Sequence, residues 1–113
     1  RPISNAHGFL SETPELRFEL FEEIDKRVKI PLVLHGGTGI PRDQVQQAIR
    51  MGVAKMNVGT ALRYAFVKAA ADTIAAEVVK DLALMTIGTA GITAGADVVR
   101  DYMDICMCAG RSK

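Results

Sequence analysis

Hydrophobic positions recur along the chain with the periods of helices and short strands. The first recurrence has apolar side chains four residues apart, at Leu16, Leu20, Ile24 and Val28, with Phe21 beside them. This spacing predicts one apolar face of a helix of about four turns. Thr13, Pro14 and Glu15 supply a capping hydroxyl, a proline at the first turn and an acid near the positive end of the helix dipole. We therefore expect the helix to begin there.

Two compact aliphatic runs, residues 30–34 and 53–58, predict strands. The first is apolar on both faces, which is typical of a strand in a buried parallel sheet. Between them, Pro41 predicts the start of a second helix with Val45, Ala48 and Ile49 on its apolar side, and Gly52 its C-terminal cap. Residues 3–8 resemble the tail of a further strand entering a loop.

A long alanine-rich helix is predicted over residues 60–79. Its inward face would comprise Leu62, Phe66, Ala69, Thr73 and Ala76. Glycine and threonine interrupt any period in residues 80–95, which predicts a broken connection, and residues 97–108 predict a last helix. The last part of the chain, about residues 80–113, is thus expected to be a helical extension.

Strands that alternate with helices favour an α/β fold with parallel βαβ units. Two or three strands are too few to form a covered parallel sheet, because an open edge would remain. The 113 residues are therefore expected to form one incomplete domain. The two candidates are the C-terminal part of a (β/α)8 barrel and a truncated doubly wound sheet.

Composition narrows the possible functions. Hydrophobic residues make up 49% of the chain and charged residues 24%, with a net charge of +1, so disorder is not expected. Like charges form no block, which argues against nucleic acid and anionic membranes as partners. Without a leader pattern or an apolar run of about 18 residues, a cytoplasmic protein is expected. Cys106 and Cys108 are too close for an ordinary disulfide or a zinc ribbon, so reduced thiols are expected, with a soft-metal or redox role as the alternative.

The two histidines, His7 and His35, each end an apolar run and precede a glycine. In a (β/α)8 barrel, reactive side chains lie at the carboxyl ends of strands, so both could bind one zinc ion through imidazole nitrogens. The alternative is that each is a hydrogen-bonded histidine at a strand end. The residues alone leave both readings open.

Two loops have the composition of a phosphate site. Gly36, Gly37, Thr38 and Gly39 offer backbone N–H groups and a hydroxyl before a helix, and residues 57–60 follow the next strand. Thr60 could equally be a simple helix cap. Lys55, inside the second strand, is either a structural lysine paired with a carboxylate or a Schiff-base nucleophile whose pKa burial would lower.

Three blocks of the sequence resemble the class II (zinc-dependent) ketose-bisphosphate aldolases. They are residues 5–8 (NAHG), 31–41 (PLVLHGGTGIP) and 52–60 (GVAKMNVGT), in matching order and at matching intervals. Residues 106–111 (CMCAGR) are similar to the tail of the tagatose-bisphosphate branch. The resemblance covers nearly the whole chain but only about the last third of a family member. It implies the end of strand 6, then strands 7 and 8, of a (β/α)8 barrel.

The resemblance also implies a reaction and a site. His7 and His35 would be two of three zinc ligands, and zinc would act as a Lewis acid on the ketone of a ketose 1,6-bisphosphate. The products would be dihydroxyacetone phosphate and glyceraldehyde 3-phosphate. One substrate phosphate would be held by Gly8, Gly36, Gly37 and Thr38, with help from Gly59 and Thr60, while Asn57 would contact the dihydroxyacetone phosphate part. A monovalent cation (Na+ or K+) and a homo-oligomer, dimer or tetramer, are implied for the full-length enzyme.

The chain departs from the family pattern in two respects. The third zinc ligand and the proton-handling acid belong to earlier parts of a family member, so the isolated chain is expected to be inactive. Where the family carries Asp-Pro-Arg, whose arginine meets the far phosphate, this chain has residues 80–83 (KDLA) and no arginine until Arg100.

Overall fold

The computed structural model describes residues 15–76 and 83–111, which form four helices and two strands. In chain order these are α1 (Phe18–Arg27), β1 (Leu32–Leu34), α2 (Arg42–Arg50), β2 (Val53–Met56), α3 (Thr60–Ala76) and α4 (Ala83–Ile105). The two strands are parallel and hydrogen-bonded to each other. The predicted parallel βαβ unit is therefore confirmed, with α2 as the crossover. The predicted strand end at residues 3–8 lies outside the described residues.

The core lies between the sheet and helices α1 and α2. Its buried side chains are Leu16, Phe21, Leu34, Ile40, Val45, Ala48 and Val53. The apolar spacing in α2 is borne out by Val45 and Ala48, which are both buried. Gly52 follows the helix with φ +111°, in the left-handed region that glycine adopts without strain, as expected after a helix end.

Helix α1 begins later than the sequence signals predicted. Its first residue is Phe18 and its N-cap is Arg17, so Leu16 precedes the helix. The backbone N–H of Leu16 instead donates to Gln44 Oε1 at 2.8 Å, which ties this segment to α2. Phe21 is the buried side chain within the helix, Leu16 joins the core from just before it, and Leu20 and Ile24 of the predicted apolar face are half-buried.

The expectation of a broken connection over residues 80–95 is wrong for the part that the structure describes. Residues 83–105 form one continuous helix, α4, which packs along α3. Two of the glycines that interrupt the hydrophobic period, Gly91 and Gly95, lie at this contact. A Cβ atom at Gly91 would lie 2.7 Å from the Phe66 ring, and one at Gly95 would lie 3.3 Å from Leu62. The missing side chains therefore allow α3 and α4 to approach each other.

Much apolar surface is exposed on this pair of helices. No residue of α3 is buried, and its predicted inward side chains Leu62 and Phe66 remain 37% and 41% exposed although they face α4. The radius of gyration is 17.4 Å, against about 13 Å for a compact domain of this length. Within residues 15–76 and 83–111, no helix combines the length and hydropathy needed to cross a bilayer.

Candidate functional site

A cleft of about 270 Å³ opens at the carboxyl ends of β1 and β2. It is lined by His35, Gly36, Gly37, Thr38, Asn57, Val58, Gly59, Thr60 and Arg63. This set contains His35 and, within the described ranges, every residue that the family resemblance assigned to the substrate, whereas Gly39 and Lys55 are not among the lining residues. His7 and Gly8 lie outside the described ranges, so the pairing of His7 with His35 stays a prediction.

Strand register brings the two predicted loops together. Leu34 pairs with Met56, so the next residues, His35 and Asn57, leave the sheet side by side. The Asn57 N–H donates to the Leu34 carbonyl at 2.9 Å, and the Asn57 side-chain amide lies 3.2 Å from His35 Nδ1. A short parallel pair thus places an imidazole and an amide at one wall of the cleft.

The glycine loop after β1 is pressed against the end of β2. The Gly37 N–H donates to the Asn57 carbonyl at 3.2 Å. A Cβ atom at Gly37 would lie 2.9 Å from Met56 Sδ and 3.2 Å from the Asn57 carbonyl oxygen. Gly36 has φ +68°, a conformation that favours glycine. Both the close approach and the turn therefore depend on glycine here.

Thr38 joins the first loop to the second. It is buried, and its Oγ1 accepts a hydrogen bond from the Ala61 N–H at 3.1 Å. Ala61 is the second residue of α3, so Thr38 satisfies one of the backbone donors that a helix start leaves without an intrahelical partner. The predicted hydroxyl is therefore at the cleft, but one of its lone pairs is already engaged by α3.

Tyr102 of α4 contacts the glycine loop that follows β1. Its hydroxyl donates to the Gly37 carbonyl at 3.3 Å. Burial raises the pKa of the Tyr102 phenol, an effect that its hydrogen bond with Thr38 partly opposes. The phenol is therefore protonated at neutral pH and can act as a donor. The sequence patterns gave no sign of Tyr102, because no local pattern relates it to a loop 65 residues earlier.

Lys55 lies on β2 and is exposed. Among the described residues, the ion pairs are Lys26–Glu22, Lys68–Asp72 and Arg100–Asp97, and Lys55 takes part in none of them. The predicted structural pairing of Lys55 with a carboxylate is thus not found in the described part of the chain. Lys55 also lies outside the core, whereas a nucleophilic Schiff-base lysine is often activated in a desolvated pocket.

A family model described as fructose-bisphosphate aldolase class-II matches residues 2–111. The chain belongs to this aldolase family. The match spans β1, β2 and both loops of the cleft, so the resemblance expected from the three sequence blocks is confirmed.

Curated relatives and a solved structure agree with membership in the class II aldolase family. The chain is 50% identical over 64 residues to a sulfofructosephosphate aldolase from Alkalicoccus urumqiensis, covering 57% of this chain and 22% of that protein. It is 45% identical over 73 residues to a fructose-bisphosphate aldolase from Geobacillus stearothermophilus, covering 65% of this chain and 25% of the relative. The crystal structure of the YdjI aldolase from Escherichia coli K12 matches with a TM-score of 0.81 at 26% identity. That match covers 98% of this chain and 40% of the YdjI chain.

The chain spans about a quarter of the length of the curated relatives that it matches. Class II aldolases are zinc-dependent in general, so the cleft residues can be compared with the needs of a metal site. His35 is exposed at the carboxyl end of β1, and an imidazole is a common zinc ligand. Within the described ranges, no three histidine, cysteine or acidic side chains are grouped closely enough to hold a metal. The described residues therefore fit one ligand of a zinc site, His35.

Arg63 is a further cleft residue that the sequence patterns did not single out. It lies in the first turn of α3, beside Gly59 and Thr60, and lines the cleft with them. A basic residue one turn after a predicted phosphate loop was the available signal.

Proposed function

We propose that the protein catalyses the reversible cleavage of a ketose 1,6-bisphosphate, of the fructose or tagatose type. The products would be dihydroxyacetone phosphate and glyceraldehyde 3-phosphate. The observation that carries this proposal is the meeting of His35, Asn57 and two phosphate-type loops in one cleft at the carboxyl ends of parallel strands. Membership in the class II aldolase family supports the same reaction.

The architecture proposed for the whole protein is a (β/α)8 barrel. Residues 1–113 would supply the end of strand 6 together with strands 7 and 8, which are β1 and β2. A two-stranded parallel sheet exposes an edge and a face, as at Ala54 and Lys55, and further barrel strands would cover them. The match to the YdjI aldolase over 98% of this chain supports the arrangement. A homo-oligomer, dimer or tetramer, would cover part of the apolar surface of α3 and α4.

Each cleft residue has a proposed role. Backbone N–H groups of the loops at Gly8, Gly36, Gly37 and Gly59, with the hydroxyls of Thr38 and Thr60, would hold one phosphate of the substrate. The N-termini of α2 and α3 add positive dipole ends nearby. Asn57 would donate from its amide to an oxygen of the dihydroxyacetone phosphate part.

His35 and His7 would hold a zinc ion, with a third ligand from an earlier strand of the full-length protein. When bound, zinc supplies Lewis-acid polarisation of a carbonyl. The Asn57 side-chain amide lies 3.2 Å from His35 Nδ1 and is therefore next to the proposed zinc ligand. A monovalent cation (Na+ or K+) near the loops and a cytoplasmic location are further parts of the proposal. Neither nucleic acid nor a membrane is proposed as a partner.

The test is cleavage of fructose 1,6-bisphosphate and tagatose 1,6-bisphosphate by the purified full-length protein, with triose phosphate release as the readout. Activity should disappear with a chelator and return with Zn2+. His35→Ala should lower kcat/KM by a factor of at least about 100, since losing even a residue that only supports a metal ligand costs 10–100-fold. Gln47→Ala, an exposed change on α2, is the control.

Two outcomes would contradict the proposal. The first is the absence of cleavage of either ketose by zinc-loaded protein. The second is activity that resists the chelator, is trapped by borohydride and is lost in Lys55→Ala, which would indicate a Schiff-base aldolase.

A further inference from the structure

Arg63 is the one permanently charged residue among the described side chains that line the cleft. The other lining residues are glycines, neutral polar residues, Val58 and His35. Its guanidinium adds a fixed positive charge to a cleft that the N-terminus of α3 also faces. From this position we infer that Arg63 is a substrate-binding residue, which contacts the substrate phosphate held by the two loops. The inference rests on the proposed function and deepens it.

The geometry of α3 directs Arg63 toward the cleft. Helical side chains lean toward the N-terminus of their helix and cover the preceding turn. For Arg63 that turn contains Gly59 and Thr60, and the Arg63 N–H donates to the Gly59 carbonyl at 3.0 Å. The guanidinium Nη2 lies 4.0 Å from the position that a Cβ atom of Gly59 would occupy. The guanidinium therefore lies directly beside the second phosphate-type loop.

The charge of Arg63 is not used elsewhere in the described part of the chain. None of the three ion pairs there includes Arg63. Arg63 also lines an apolar groove between α3 and α4, whose other residues are Leu62, Phe66, Val67, Ile92 and Gly95. That groove can pack against the aliphatic stem of Arg63 but offers no acceptor side chain to the guanidinium. The cleft is therefore the side on which the charged group can find an anionic partner.

A phosphate is the anion that this arrangement fits best. A guanidinium presents a planar fork of donors that matches two phosphate oxygens, and these bonds are stronger than those between neutral groups. Backbone N–H groups and the α3 N-terminus would contact the remaining oxygens. Arginine should bind the phosphate more tightly than lysine at this position, because an ammonium group acts as a point charge and cannot form the paired hydrogen bonds of a guanidinium.

The test compares Arg63→Gln with Lys68→Gln in the full-length protein. Lys68 is an exposed cation on the same helix, so its loss changes the net charge equally at a site away from the cleft. Arg63→Gln should weaken binding of inorganic phosphate, measured by titration calorimetry, by about 10-fold. It should raise KM for the ketose bisphosphate by a similar factor and change kcat by less than about threefold. Arg63→Lys should recover only part of the loss, and added salt should narrow the difference because the group is exposed.

The outcomes separate this inference from the proposed function. If Arg63→Gln matches Lys68→Gln in phosphate affinity and KM while His35→Ala still abolishes cleavage, Arg63 has no such role and the aldolase proposal stands. If the wild-type protein cleaves neither ketose but loses phosphate affinity on Arg63→Gln, the inference stands and the proposed reaction fails. Equal phosphate affinity in the two variants overturns the inference in either case.

Discussion

Two glycines of α4, one turn apart, should respond in opposite ways to alanine. Gly88 and Gly91 both lie inside the helix, so alanine at either should stabilise it by about 0.5–1 kcal/mol through reduced backbone freedom in the unfolded chain. A Cβ at Gly88 would meet nothing within 4 Å. A Cβ at Gly91 would lie 2.7–2.9 Å from three atoms of the Phe66 ring, where ordinary carbon contacts are about 3.5–4.0 Å.

The cost of that clash can be bounded. Inserting a methyl group into a packed contact costs about 1–3 kcal/mol. Phe66 is 41% exposed, so its ring can swing outward, and we expect the lower half of that range, about 1–2 kcal/mol. Because the helix gain is common to both variants, their free energies of unfolding should differ by that amount. Gly88→Ala should be more stable than wild type, and Gly91→Ala should be equal to it or less stable.

Urea denaturation followed by circular dichroism at 222 nm would measure the difference. A double variant supplies the control: in a Phe66→Ala background the whole ring is gone, and Gly91→Ala should recover the helix gain seen at Gly88. Equal stability of Gly88→Ala and Gly91→Ala in the wild-type background would refute the reasoning. It would mean that α3 and α4 do not pack through these residues.

Three further predictions concern α4 and its end. The helix ends with the Cys108 N–H bonded to the Met103 carbonyl and with Met107 at φ +56°. Met107→Gly should therefore raise the free energy of unfolding by about 0.5–1 kcal/mol in urea titrations, and a loss of stability would contradict the left-handed assignment. Tyr102→Phe should cost about 0.5–1.5 kcal/mol at pH 8 through the lost hydrogen bond. Burial raises the pKa of Tyr102. The free energy of unfolding by which wild type exceeds Tyr102→Phe should therefore be at its full value below a pH of about 10, and it should shrink as pH rises through the raised pKa. A stability difference that stays unchanged above pH 10 would contradict this prediction. Burial also raises the pKa of the half-buried Cys106 thiol, whereas Cys108 is exposed. A thiol reagent at pH 8 should therefore label Cys108 first, which peptide mapping would detect. Earlier labelling of Cys106 would refute this prediction.

Local sequence was sufficient for the strands, for α2 and for the position of the cleft. Residues that follow two consecutive parallel strands must leave the sheet at the same edge, so the strand pattern alone places His35 and Asn57 together. The N-terminus of α1 could not be located in this way, because Thr13 and Pro14 are typical of a helix start, whereas the helix begins at Phe18. The tertiary contact of Leu16 with Gln44 holds the preceding segment outside the helix.

The length of α4 was predicted less well than the start of α1. Glycine at positions 88, 91 and 95 interrupts the hydrophobic period in the sequence. In the structure, Gly91 and Gly95 are the positions at which α4 contacts side chains of α3. Contacts between distant segments, here α3 with α4 and Tyr102 with Gly37, leave no periodic signal. The same holds for Arg63, whose importance depends on the glycine beside it and not on its own neighbours in sequence.

The contact of Tyr102 with Gly37 has a consequence for the order in which the cleft is made. The two positions are 65 residues apart, and at about 5–20 residues per second a ribosome needs about 3–13 s to add that length of chain. The glycine loop is therefore synthesised well before the side chain that supports it from α4. Helix α2 and strand β2 are complete far earlier, so the apolar core can form while the cleft still lacks Tyr102. The lining of the cleft, residues 35–63, is thus translated before the α4 side chain that supports it.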